Sequence, residues 1–288
     1  MTPLSRRPRH SRSDQGPRVV PQTRRLRSEG LEFGLVHSPK PAPTIAANPE
    51  STQPAHAGTT DTPIFVIVHG IGTSHRYSVL LHQALATHGA TYSVDLPGFG
   101  GMETPRHRLA VEDYARLLGS VLDTLLSGLQ PRRCVLIGHS MGAQITTELA
   151  AQRPNLVAAL VLIGPVTDSR RSSALAQAVD LCRDTLKEPV AANLLVFADY
   201  TRCGPRWYTQ ELVSMLAYAT ADQIVHVAAP VLVVRGADDP VSRSAWCASL
   251  VRQSGHGFLK EIAGHRHLVH YSAAERVADS ICRFVQRS

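Results

Sequence analysis

From Pro63 onward the chain writes short apolar runs separated by segments with helical spacing. The runs are PIFVIVHG (63–70), TYSVDL (91–96), RCVLIGH (133–139), LVAALVLIG (156–164), APVLVVRG (229–236) and GFLKEI (257–262). Continuous β-branched runs suit strands buried on both faces, and strands that alternate with helices build right-handed βαβ units around a largely parallel sheet. Residues 77–88 read as a helix. Val111, Tyr114, Leu118, Val121, Leu122 and Leu125 fall on one helical face closed by Gly128. Further helices run from Met141 towards Pro154 and around Trp246–Val251, and a last one carries Ala274, Val277, Ala278, Ile281 and Val285 on one face. LEFGLVHS (31–38) reads as an edge strand. The alternation pauses over 166–227, which is mostly helical in pattern. The expected fold class is therefore α/β: a largely parallel sheet flanked by helices, with a helical cap inserted after the sixth strand, the one that ends at Gly164.

The implied division is a tail over 1–30, an edge strand with a Pro/Ala/Thr-rich connection over 31–62, a core of 63–165 and 228–288, and the cap over 166–227. The formal net charge is +7, but residues 1–60 hold nine Arg/Lys against four Asp/Glu, a balance of +5, and the rest carry 21 against 19, only +2. The basicity belongs to the tail, so no nucleic-acid partner is expected of the core. Rich in Arg, Ser and Pro and poor in large apolar residues, that tail is expected to be disordered. Arg6-Arg7 is not followed by the apolar stretch of an export signal. The longest strongly apolar run is about half a membrane span, so no span is expected. Five scattered cysteines without a CxxC argue against a disulfide framework or zinc site and fit a reducing cytoplasm. Cys134, inside a strand pattern, reads as a small core residue. With no metal cluster or nucleotide loop in view, no cofactor is expected.

The stretch CVLIGHSMG ends a strand on Gly138, Ser140 and Gly142. In open parallel sheets ligands bind outside the carboxyl ends of the strands. A one-residue strand-to-helix turn there forces the serine to positive φ and demands small neighbours, which glycine supplies. Ser140 is thus a candidate nucleophile held above the sheet edge, with free helix N–H groups beside it. A serine needs a base, and the base an acid to fix its tautomer. After the last strand, EIAGHRHLVH offers His265 first, directly behind Gly264. His267 and His270 are rivals, read as solvated residues at the start of the last helix. VLVVRGADDP offers Asp238 and Asp239; Asp239 is favoured, one of the two being a turn residue before Pro240, and Asp168 is more distant.

These residues resemble the α/β-hydrolase fold superfamily, in its small, capped, esterase-like form, over residues 63–286. The order Ser140, Asp239, His265 is that family's order. VHGIGTS resembles its His-Gly oxyanion loop, DLPGFG its Gly-rich loop, GADDP its Gly-x-x-Asp acid turn, which selects Asp239, and AGH its histidine turn. The resemblance implies an oxyanion hole made by the backbone N–H groups of Ile71 and Met141, with His69, Gly70 and Gly72 in the supporting loop. Two departures lie near the rim: Gly101 stands where relatives often have serine, and HRHLVHYSAAER lacks their Glu and Pro.

The implied reaction is hydrolysis of a carboxylic ester, or a related acyl bond, of a small and fairly hydrophobic substrate through an acyl-enzyme. Cap residues Leu194, Leu195, Phe197, Tyr200, Trp207, Tyr208, Met215 and Tyr218 are expected mostly to pack, with some lining an apolar pocket. Arg170 and Arg171 read as a solvated helix start that can meet an anion. The alternatives are carbon–carbon hydrolysis, which usually goes with Gly-Asn-Ser rather than GHS, perhydrolysis, amide cleavage, or a non-catalytic ligand-binding protein. An elbow serine argues against dehalogenase and epoxide hydrolase chemistry, which use aspartate there.

Overall fold

A computed structural model describes residues 21–39, 62–128, 133–168 and 198–288. Eight strands form one sheet: β1 (Gln22–Ser28), β2 (Leu31–Ser38), β3 (Ile64–Val68), β4 (Ala90–Asp95), β5 (Cys134–His139), β6 (Val157–Ile163), β7 (Val231–Gly236) and β8 (Gly257–Ile262). Their spatial order is β1-β2-β4-β3-β5-β6-β7-β8. β2 pairs antiparallel with both β1 and β4, and every later pairing is parallel. Helices among the described residues include α1 (Val79–Ala86), α2 (Val111–Leu125), α3 (Met141–Gln152), α4 (Pro205–Ala217), α5 (Thr220–Ile224), α6 (Ser244–Gln253), α7 (Val269–Ser272) and α8 (Ala274–Val285).

The continuous apolar runs have the expected consequence: both faces of the sheet are covered. Val66, Val68, Leu136 and Leu160 face a core closed by α2, α3 and α6, while Phe65, Ile67, Val135 and Val161 face a second core closed by α1, α7 and α8. All six residues assigned to the inner face of α2 pack there, five of them buried and Leu125 partly so. Cys134 is fully buried and its thiol is pushed up to about 12 by desolvation, as a core residue's should be.

Two expectations change. The segment read as a disordered tail contains β1, and β2 is therefore not the edge. A tight turn joins them, with Glu29 and Gly30 both at positive φ, +51° and +81°, the two-residue geometry that matches strand twist. Among the described residues no helix is long and apolar enough to cross a membrane.

Candidate active site

Ser140 stands between β5 and α3 at φ +54°, ψ −120°, and its N–H is held by the Ile163 carbonyl at 3.0 Å. The glycines around it are sterically required. A Cβ on Gly138 would lie 2.3 Å from the Gly142 carbonyl, and one on Gly142 would lie 2.4 Å from Val68 O. These contacts are backbone against backbone, so no side-chain motion relieves them. The elbow is as tight as its spacing implied.

The 69–75 loop after β3 lies against it. A Cβ on Gly70 would come 3.0 Å from Ser140 Cβ. His69 is buried, and its Nε2 accepts from Leu96 N at 3.1 Å, so Nδ1 carries the proton and donates to the Gly70 carbonyl at 2.7 Å. Desolvation holds this imidazole below its ordinary range, against the pull of Asp95, which favours the neutral bridge. Further along, His75 N and Nδ1 reach Asp95 at 2.7 and 2.6 Å, and Ser74 Oγ donates to buried Asp199 at 2.5 Å. Gly72 has φ +73°, and a Cβ there would meet the Tyr200 ring at 2.5 Å and Tyr208 at 3.0 Å. Ile71 is buried in this loop, and Met141, first residue of α3, has no intrahelical acceptor for its N–H.

Asp239, behind β7, is buried; its Oδ1 accepts from Val241 N at 2.7 Å and Ser242 N at 3.0 Å, and its Oδ2 meets His267 Nδ1 at 2.9 Å. Burial pushes this carboxyl up. The His267 charge and hydrogen bond and the two backbone N–H groups outweigh that, leaving it below the usual carboxylate range. A carboxylate only accepts, so Nδ1 of His267 carries the proton and Nε2 is left as the basic nitrogen. Asp238 is exposed, and its backbone N–H donates to the His265 carbonyl at 3.0 Å, while the bond that closes the turn runs from Asp239 N–H to Gly236 O at 3.1 Å.

The partner of Asp239 is therefore His267, where the sequence pointed to His265. His265 is half-buried and meets α7 instead, its Nδ1 donating to Ser272 Oγ at 2.8 Å while that hydroxyl donates to Leu268 O. Choosing the first histidine after β8 assumes a short turn. Here the chain beyond Gly264, itself at φ +78°, first runs along the end of β7: His265 O accepts from Asp238 N at 3.0 Å, and a Cβ on Gly236 would lie 2.2 Å from His265 O and 2.3 Å from Arg266 O. The side chain that meets the carboxylate therefore comes two residues later, at His267. His270 does not stay solvated either: it is buried, and burial followed by the His267 charge pushes it down to about 3. A glycine the sequence did not flag completes the arrangement: a Cβ on Gly164, at φ +54°, would lie 3.0 Å from His267 Cε1.

Over the site, residues 198–203 and α4 bring Tyr200 and Tyr208 against Gly72, while Trp207 covers Gly98 and packs with Phe99. Trp207, Met215 and Tyr218 are buried packing residues, Tyr218 Oη donating to Glu148 at 2.8 Å. Leu194, Leu195, Phe197, Arg170 and Arg171 lie outside the described residues. Among those described, no group of three or more His, Cys, Asp or Glu is arranged to hold a metal ion.

A model of the alpha/beta hydrolase family matches residues 65–280. The chain belongs to that family. It is 27% identical over 239 residues to the (E)-2-((N-methylformamido)methylene)succinate hydrolase of Acinetobacter baylyi, covering 74% of this chain and 86% of the relative. An uncharacterized protein of Mycobacterium tuberculosis is 33% identical over 133 residues, and the chain spans 34% of its length. Among solved α/β hydrolases, the E-2-(acetamidomethylene)succinate hydrolase superposes with a TM-score of 0.70 at 20% identity over 93% of this chain and 100% of that one. A thermophilic esterase from Thermogutta terrifontis gives 0.72 at 16% identity over 92% and 98%. At those identities the likeness is one of fold.

Proposed function

We propose that this α/β hydrolase cleaves an acyl bond, in a carboxylic ester or a related small and fairly hydrophobic substrate, through a covalent acyl-enzyme on Ser140. The observation that carries the proposal is the buried His267–Asp239 pair, 2.9 Å apart, on the same strand ends as a serine held at positive φ. His267 Nε2 takes the Ser140 proton as Oγ attacks the acyl carbon, and returns it to the leaving group. Asp239 holds the tautomer and stabilises the imidazolium. The Ile71 and Met141 N–H groups receive the developing oxyanion, each worth about 3 kcal/mol of transition-state stabilisation. A second proton transfer, from water through His267, clears the acyl-enzyme. The Tyr200 and Tyr208 rings against Gly72 support an apolar acyl or alkyl group.

Amide cleavage is the second reading. What favours it is the Acinetobacter baylyi relative, whose name gives an N-acyl compound as its substrate. Labelling with a fluorophosphonate, mapped by mass spectrometry, tests the shared chemistry without choosing a substrate. An adduct on Ser140 that disappears in Ser140→Ala supports an activated serine, and matched ester and amide panels then separate the two readings. A folded protein with no adduct on Ser140 would sink both.

A further inference from the structure

His139, the residue before the nucleophile, is buried and its Nε2 donates to the His267 main-chain carbonyl at 3.2 Å. That carbonyl lies outside the ladder of α7: Tyr271 and Ser272 N–H groups go to Leu268 O, and Ala273 N–H to Val269 O. The turn carrying His267 is thus tied to the body of the protein through an imidazole on β5. β5 is the sheet's central reference, with Gly138 paired to Val68 and His139 to Ile163. The same ring lies against the 69–75 loop, since a Cβ on Gly70 would come 3.4 Å from His139 Nδ1. One side chain therefore touches the nucleophile's strand, the loop beside it and the backbone of the base.

A space-filling role does not account for this choice. Nδ1 of His139 is buried without a hydrogen-bond partner among the described residues, a cost that leucine or phenylalanine would avoid. What histidine adds is one donor at the end of a rigid ring. Its surroundings also keep it neutral. The ring packs on Tyr77 (centroids 5.2 Å apart), His270 (4.1 Å) and His267 (4.9 Å), with His69 also near. Burial, then the would-be charges of His270 and His267, hold it well below the usual imidazole range. A second cation therefore does not form beside His267 when that base carries the reaction's proton.

We infer that His139 is a positioning residue: its Nε2–H fixes the His267 backbone and so sets the base's distance from Ser140. This rests on the triad proposed above. The test compares the full chain with His139→Leu, which removes the donor, His139→Asn, which shortens it out of reach, and His139→Gln, which replaces it. Fluorophosphonate labelling of Ser140 is followed against pH, with melting temperature recorded alongside. A displacement of the order of 1 Å costs up to about a hundredfold, so Leu and Asn should slow labelling roughly ten- to a hundredfold per folded molecule and shift the acid limb. Gln should stay within about threefold of wild type. Leu and Asn variants that melt lower but label at the wild-type rate with an unmoved acid limb overturn the inference. An independent readout is the low-field proton of the His267–Asp239 bond, assigned by its absence in Asp239→Asn. If wild type takes no adduct, the triad proposal has failed. Loss of that proton in Leu and Asn but not in Gln then still supports the positioning role, and its persistence in all three overturns it.

Discussion

Two histidines two residues apart in the same turn have opposite surroundings, and the contrast can be measured. His267 meets a buried carboxylate whereas His265 meets a serine hydroxyl in a half-buried position. His267→Ala is expected to abolish Ser140 labelling and cut turnover about a thousandfold or more, as loss of a triad member does. His265→Ala should stay within about threefold. The reverse order would return the base to the first histidine after β8. Gly164→Ala probes the same spot from below. It adds a methyl 3.0 Å from the His267 ring at φ +54°, so it should slow labelling about tenfold or more through displacement of the base. The serine and its glycines were legible because a one-residue turn at a strand end fixes them locally, and Asp239 because GADDP resembles the family's Gly-x-x-Asp acid turn. The base was not, because its position depends on how many residues the preceding turn spends, and Gly264 marks a turn in the sequence without giving its length. Gly164 and His139 are invisible for a related reason, since their contacts come from strands far apart in the chain.

On the element scale the seating of α4 carries a titratable burden. Glu211 is fully buried on this helix, and neither oxygen has a hydrogen bond of good geometry among the described residues. Tyr114 of α2 donates instead to Pro97 O at 3.3 Å. Burial pushes Glu211 from the usual 4.5 up to about 7, although the Tyr114 hydroxyl, the Leu109 N–H and Arg108 pull the other way; Cys203 also lies near it. A carboxyl whose pKa is higher in the folded state is held neutral by the fold. Its seating is intact below the unfolded value and is lost as pH rises through 7. At about 1.4 kcal/mol per pKa unit, full ionisation costs the folded state on the order of 3 kcal/mol. Glu211→Gln should therefore melt much like wild type near pH 4.5 and higher than wild type near pH 9, the gap opening between about pH 4.5 and 7 and staying constant above. Melting curves that stay parallel from pH 5 to 9 would show that α4 yields enough to hydrate the ionised group.

For the whole molecule, the largely parallel sheet was readable because β3, β5, β6 and β7 are apolar enough to be buried on both faces, while β4, with Thr91, Ser93 and Asp95, and the more exposed β8 were carried by their alternation with helices. β1 escaped because an edge strand has no such duty. Of Gln22–Ser28 only Leu26 contributes an apolar side chain to the core, and three arginines share the strand with it. Its pairing is set by backbone groups and the Glu29-Gly30 turn, which composition does not record. β1 covers the open edge of β2, and an uncovered edge is a template for association. A chain shortened through Ser28 should then lose roughly 5 °C of melting temperature and associate with rising concentration, read by light scattering. Ser140 labelling per folded molecule should persist, because β4 and β3 stand between β2 and β5. A shortened chain that keeps its melting temperature and stays monodisperse would mean that β2 guards its own edge. Labelling lost along with β1 would mean that the far side of the sheet helps to hold the strand end that carries Ser140.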